Sequence, residues 1–207
     1  MSAQAAPPGA ELAVRAAMAP DELVARARAW DVLTRYCRAL DRCDVELMRA
    51  VYWPDGHDDH GVFSGNAHDF AEFIIREIRR WFEVTMHAIM NVHYEVAGDV
   101  VCTETYLFAY HKVRANAADI EEIFGSRYAA QFDWASARIV PQHFYFGGRY
   151  IDRIERRGDE WRIARRTVVM DWNDNGPSGE ILDQGMFATL RPLGRRDRED
   201  PAYLNRP

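Results

Sequence analysis

The stretch TMHAIMNVHYEVAGDVVCTETYLFAYHKV, residues 85–113, decides the fold. Its period is two, with β-branched and aromatic residues in blocks, and Gly98-Asp99 supplies a tight turn between Met86–Val96 and Val100–Val113. Such alternation marks half-buried strands joined as a hairpin. Further along, His143–Arg156 and Glu160–Trp172 repeat the pattern around Gly158-Asp159. Upstream the period changes to that of helices. Leu23, Ala27, Trp30, Leu33, Cys37 and Leu40 form one stripe, with Asp21 placed as its cap. Asp44 caps a shorter helix carrying Val45, Met48 and Val51, which Trp53-Pro54-Asp55-Gly56 stops before a short strand over His57–Phe63. Phe70, Phe73, Ile74, Ile78, Trp81 and Phe82 give a third helix. Helices followed by a long meander predict an α+β fold, with N-terminal helices packed on one side of a strongly curved antiparallel sheet.

The boundaries follow. Residues 1–20, rich in Ala and Pro, read as a flexible arm, residues 21–173 as one domain, and residues 174–207 as a polar tail able to cover a pocket. Residues 114–142 form an insert too long for a plain hairpin loop, with a helix at Ala118–Phe124. At 207 residues and 48% hydrophobic content, one domain with a sizeable core is expected. A net charge of −6 disfavours nucleic-acid and anionic-membrane partners. The arginines at 153, 156, 157, 162, 165 and 166 alternate with acids and apolar residues and read as a solvated sheet face. Cys37, Cys43 and Cys102 lack metal-type spacing and read as reduced thiols, and no exporting or spanning segment is evident, so the expected location is the cytoplasm.

Asp41 carries the chemistry. It ends the first helical stripe on a core-facing position, where an unpartnered carboxylate would cost several kcal/mol, roughly. Histidine is the natural partner, and His60, His87 and His111 lie in or at the end of apolar runs. A buried acid facing histidines from separate strands can shuttle protons without a cofactor. The run His57-Asp58-Asp59-His60 suggests metal ligands, but on a strand only Asp58 and His60 share a face, too few for a metal. His60 then reads as a substrate-facing donor and Asp58 as its orienting partner. No dinucleotide, phosphate-loop or serine-elbow signature occurs, so neither cofactor nor metal is expected. Aromatic residues including Trp53 and Trp172 suggest a large apolar cavity for an aromatic or polycyclic ligand. Glu104, Tyr106, Phe108 and Tyr110 share one strand face, opposite Thr105, Leu107 and His111, and suit a homodimer interface on the outer sheet.

Read in order, Tyr36-Cys-Arg-Ala-Leu-Asp41, Tyr52-Trp-Pro-Asp-Gly56, Asp58-Asp-His-Gly61, Thr85-Met-His87, Glu104–His111 and Gly148–Arg157 resemble the SnoaL-like proteins of the nuclear-transport-factor-2-like superfamily over roughly residues 22–173. The resemblance implies a cone-shaped α+β barrel with a pocket at its wide end, commonly dimeric. Scytalone dehydratase, lindane dehydrochlorinase and the bile-acid dehydratases are the similar members. By that resemblance Asp41 falls on the acid and His87 on the base of a catalytic dyad. His60 and His111 fall on polar groups of scytalone dehydratase, and Tyr36 on a catalytic tyrosine of the bile-acid enzymes. Tyr150 falls on a substrate-binding amide, with Arg149 beside it and Met170 and Trp172 as further candidate contacts. Ala109 and Met170 stand where the bile-acid enzymes carry a second acid and an arginine, which argues against steroid acyl-CoA dehydration. The implied activity is a cofactor-independent lyase, by dehydration or by deformylating elimination of an aryl diol such as a lignin-derived diarylpropane. The alternatives are an isomerase or cyclase of steroid or polyketide type, or a non-catalytic binding module.

Overall fold

The computed structural model describes residues 18–134 and 138–204. Most of the expected N-terminal arm therefore lies outside the described residues. Helix α1 runs Pro20–Asp41, α2 Val45–Ala50 and α3 Ala67–Trp81. The strands are β1 Tyr52–Asp59, β2 Ser64–Asn66, β3 Phe82–Ala97, β4 Val100–Val113, β5 Gln142–Arg157 and β6 Glu160–Pro177. They form one curved, unclosed sheet in the order β2-β1-β6-β5-β4-β3, against which the helices pack. The α+β architecture read from the sequence is the one observed. The ladder is antiparallel except between β1 and β6, which run parallel.

Local differences have physical causes. Pro20 occupies the first helical position of α1, where its missing N–H costs nothing, so Asp21 sits in the first turn and not at the cap. The buried residues of α1 are Ala25, Ala29, Val32, Leu33, Tyr36, Cys37, Ala39 and Leu40, while Leu23, Ala27 and Trp30 of the expected stripe are exposed. Small side chains at 25, 29 and 39 let the helix pack closely, while the bulkier Leu23 and Trp30 face solvent. Asp44 caps α2 as expected, accepting from the Leu47 amide at 3.1 Å. Trp53–Gly56 does not end in a free turn but continues as β1, whose pairing with β6 shifts register between Tyr52 and His57. That bulge accommodates Pro54, which has no ladder donor.

In the insert, α4 (Ala117–Phe124) and α5 (Ser126–Ala129) close the end of the sheet beyond β4. Phe124 meets the Phe144 ring edge-on at 6.1 Å, and the Tyr128 hydroxyl donates to Gln142 Oε1 at 2.9 Å. The sheet itself runs past the expected end at Trp172 to Pro177. The tail then returns along the molecule. Glu180 pairs with Lys112, Arg196 donates to the carbonyls of Phe82 and Ile78, and Tyr203 donates to Asp44 at 3.1 Å. A short α6 (Pro201–Leu204) ends the described chain. No helix among the described residues is long and apolar enough to cross a membrane.

Candidate active site

A cavity of about 220 Å³ opens between the concave sheet face and α3. Leu40, Ile74, Ile78, Trp81, Phe82, Leu107, Phe144, Phe146 and Val168 make its wall apolar. Three histidines and Tyr150 interrupt that wall. Period-two alternation places Leu107, Ala109 and His111 of β4 inward and leaves Tyr106 and Phe108 outward.

Asp41, at the last turn of α1, reaches across to β3. Its Oδ1 lies 2.7 Å from His87 Nδ1 and accepts from the Thr85 hydroxyl at 3.0 Å, while Oδ2 accepts the His87 backbone N–H at 3.0 Å. Thr85 and His87 can share one carboxylate because residues two apart on a strand face the same way. The side chains of His87 and Asp41 are only 6% and 14% exposed. With Nδ1 engaged by the acid, Nε2 is the ring nitrogen free for chemistry.

His111 stands beside this pair, its ring 5.2 Å from His87 and stacked on Phe144 at 4.1 Å. Burial, then His87 and Arg196, hold it well below the usual histidine range, so it is neutral in the folded protein. Its Nδ1 has no partner among the described residues. Above pH of about 6.5 the imidazole is neutral folded or unfolded and this depression costs nothing. As pH falls from there toward the lowered folded value, the unfolded state alone takes up the proton, and stability is lost. The stability advantage of wild type over His111→Gln should therefore shrink between pH 7.5 and 5, as read by urea denaturation. A constant or growing gap would show that the imidazole is not buried in its neutral form.

Asp58 and His60 form a second contact of the same kind. Asp58 is fully buried on β1, His60 Nδ1 lies 2.8 Å from its Oδ1, and Tyr52 donates to its Oδ2. Burial, reinforced by Asp58, holds the Tyr52 phenol well above its ordinary range, so it stays a donor. His60 stacks on Phe70 at 4.7 Å and lines the cavity.

The structure thus brings together Asp41, His87, His60, His111 and Tyr150, with Asp58 behind His60. The other expected residues lie elsewhere. Tyr36 is buried outside the cavity lining, its hydroxyl unpartnered among the described residues and its ring 3.8 Å from the guanidinium carbon of Arg166. Arg149 points to the outer sheet face, where it pairs with Glu104 and Asp171 at 2.9 Å. Trp53 donates to the Glu155 carbonyl and is flanked by Arg157 and Arg162. Trp172 lies across Gly147 on the outer face, so close that a Cβ there would overlap its ring. Met170 is 61% exposed at a register shift in β6 and does not line the cavity. The arginine-rich face is solvated except at Arg166, which is fully buried and bonds Asp152 through two contacts of 2.7 and 2.8 Å. Sequence reading missed that pair, and also Arg196, whose tail position gave no hint of contact with cavity-lining residues. No group of three or more His, Cys, Asp or Glu among the described residues is placed to hold a metal ion.

An open cone of this kind, with an Asp–His pair inside an apolar cavity, defines a class of small-molecule-binding α+β protein. Residues 21–167 match the SnoaL-like domain model, and the chain belongs to that family. Solved structures share the fold at low identity. Hexachlorocyclohexane dehydrochlorinase LinA-type3 from Novosphingobium barchaimii is 16% identical with a TM-score of 0.58, covering 78% of this chain and 94% of that one. A putative scytalone dehydratase from Novosphingobium aromaticivorans is 16% identical with a TM-score of 0.58, covering 79% and 99%. A single-residue variant of Rv3472 from Mycobacterium tuberculosis, a protein of unknown function, is 21% identical with a TM-score of 0.54, covering 75% and 78%. No curated protein matches the chain in sequence.

Proposed function

We propose that this protein is a lyase that eliminates water from a hydroxylated compound carrying one ring, using side chains alone for proton transfer. The observation that carries the reading is the 2.7 Å contact of Asp41 with His87 Nδ1 inside an apolar cavity. The carboxylate fixes the tautomer with Nε2 unprotonated and stabilises the imidazolium formed when Nε2 accepts a C–H proton. Neutral His111 borders the same cavity, where its imidazole can offer a polar contact to a substrate oxygen. The relatives' printed activities, dehydration and dehydrochlorination, are both eliminations.

Cavity size narrows the substrate class. A cavity of roughly 150 Å³ is enough for benzene, and drug-sized pockets begin near roughly 300 Å³. The 220 Å³ here suits one ring with short substituents better than a polycyclic or a diarylpropane. The outer face, with exposed Tyr106, Phe108, Ile151 and Trp172, is proposed to pair two copies of the chain. A panel of β-hydroxyketones bearing one aromatic ring tests the activity, with conjugated alkene followed by ultraviolet absorbance and water loss by mass spectrometry. Accelerated alkene formation is expected. Failure of every member, together with no solvent deuterium incorporated next to the carbonyl, would remove the reading.

A further inference from the structure

We propose that Asp58 and His60 are a second acid/base dyad, which protonates the leaving group and gives the elimination anti stereochemistry. The inference rests on the lyase reading above. Its basis is the doubling of one arrangement in one cavity. In each case a histidine, on β3 for His87 and just past the end of β1 for His60, turns Nδ1 to a carboxylate, at 2.7 Å and 2.8 Å respectively, leaving Nε2 on the far side of the ring. Each histidine lines the same cavity.

His60 is held more firmly than packing alone requires. Its ring is fixed by Asp58 at one edge and by Phe70 on one face, and its backbone N–H donates to the Phe63 carbonyl at 2.8 Å. Behind it, Asp58 is fully withdrawn from water, a placement that is costly for a carboxylate unless partners compensate. Tyr52 and His60 are those partners. Asp58 at Nδ1 orients the ring so that Nε2 points away from the acid, the geometry a leaving-group donor needs. Asp41 differs in the number of donors it serves. Besides the ring it serves the Thr85 hydroxyl and the His87 amide, whereas Asp58 serves His60 and Tyr52.

Sheet topology sets the direction. His60 follows β1 and His87 lies on β3, with β6, β5 and β4 between them. Four strand spacings amount to about 19 Å along a sheet, yet both rings border one 220 Å³ cavity because the sheet curves round it. A single ring bound there would border both imidazoles, and the anti course requires it to lie between them. His87 Nε2 takes the C–H proton, the released pair forms the C=C bond, and the C–O bond breaks. His60 Nε2–H passes its proton to the departing oxygen, which leaves as water. His87 ends as imidazolium and His60 neutral, and exchange with solvent resets both. Proton and hydroxyl depart on opposite faces of the new double bond.

Long-range proton–nitrogen spectra of the full chain with ¹⁵N-labelled histidine test this, using catechol as the probe and His60→Gln and His87→Gln to assign signals. Catechol should shift the Nε2 resonances of both rings at the same concentrations, and His60→Gln should weaken its binding by about 3- to 10-fold, the loss of one hydrogen bond. Shifts at His87 alone, or a His60 whose proton sits only on Nε2, would overturn the second dyad and leave the lyase reading standing. Shifts at neither ring would overturn both. Asp58→Asn should remove the Nδ1 proton signature of His60. If that buried substitution prevents folding, the wild-type catechol titration decides alone.

Discussion

Replacing His87 with Gln should lower turnover of the β-hydroxyketones by about 10²- to 10⁴-fold, the usual contribution of a positioned general base. Glutamine retains polar reach toward Asp41 but has no nitrogen able to accept a proton near neutral pH. Binding of catechol should change little by comparison, because Leu40, Leu107, Phe144 and Val168 still shape the cavity. Asp41→Asn should be nearly as damaging, for a different reason. The carboxylate accepts at both oxygens, from the His87 amide at Oδ2 and from Thr85 and His87 Nδ1 at Oδ1. An Asn amide group cannot face the His87 N–H, since two donors would meet. It must take the Oδ1 place, where the Thr85 hydroxyl can rotate to accept. There it donates to His87 Nδ1 and drives the ring proton to Nε2, so the base is lost while the fold stays. The double variant should be no slower than His87→Gln, because the two side chains act as one unit. Full activity in His87→Gln would defeat the assignment.

Asp41 and His87 were legible in the sequence because each breaks a pattern. An acid at the end of an apolar helical stripe demands a partner, the pattern left His60, His87 and His111 open, and the family resemblance pointed to His87, which is the ring Asp41 meets. Asp58 and His60 were legible for the simpler reason that residues two apart in extended chain share a face, although β1 ends at Asp59, one residue before His60. The residues misplaced by sequence reading fail at irregularities. Trp53 sits at the β1 bulge, and Met170 and Trp172 flank a register shift in β6, where one extra residue turns the following side chains to the other face. Arg149 lies next to Tyr150 and so must face away from it, toward Glu104 and Asp171. Leu23 and Trp30 fit the helical period, but the helix turns its smaller alanines to the sheet. Arg166 was hidden among five more accessible arginines of similar context, and only its pairing across β5 and β6 with Asp152 distinguishes it.

That pair supports the second large effect, which concerns stability. Arg166 and Asp152 are fully buried in their side chains, and the guanidinium lies between the rings of Tyr36 and Tyr150, 3.8 and 4.0 Å from their centroids. Burial opposes the charge on Arg166, but Asp152 with Tyr52 and Tyr36 together outweigh it and hold the group well above its ordinary range. Asp152→Ala leaves that charge in the core without its counter-ion, and Nη1 is already unpartnered among the described residues. A broken buried pair costs about 3–5 kcal/mol. For a domain of this size that corresponds to a fall in Tm of roughly 6–20 °C. The double variant Arg166→Met, Asp152→Leu should lose much less, because neither charge remains and the two tyrosines can close on a thioether. Calorimetry on the three proteins separates the alternatives. If Asp152→Ala melts within about 1 kcal/mol of wild type, the guanidinium has escaped to water and the pair is not a core element. If the double variant is as unstable as the single, the cation held between Tyr36 and Tyr150 contributes stability of its own. Tyr150 lines the cavity, so that second outcome would couple the core cation to the shape of the site.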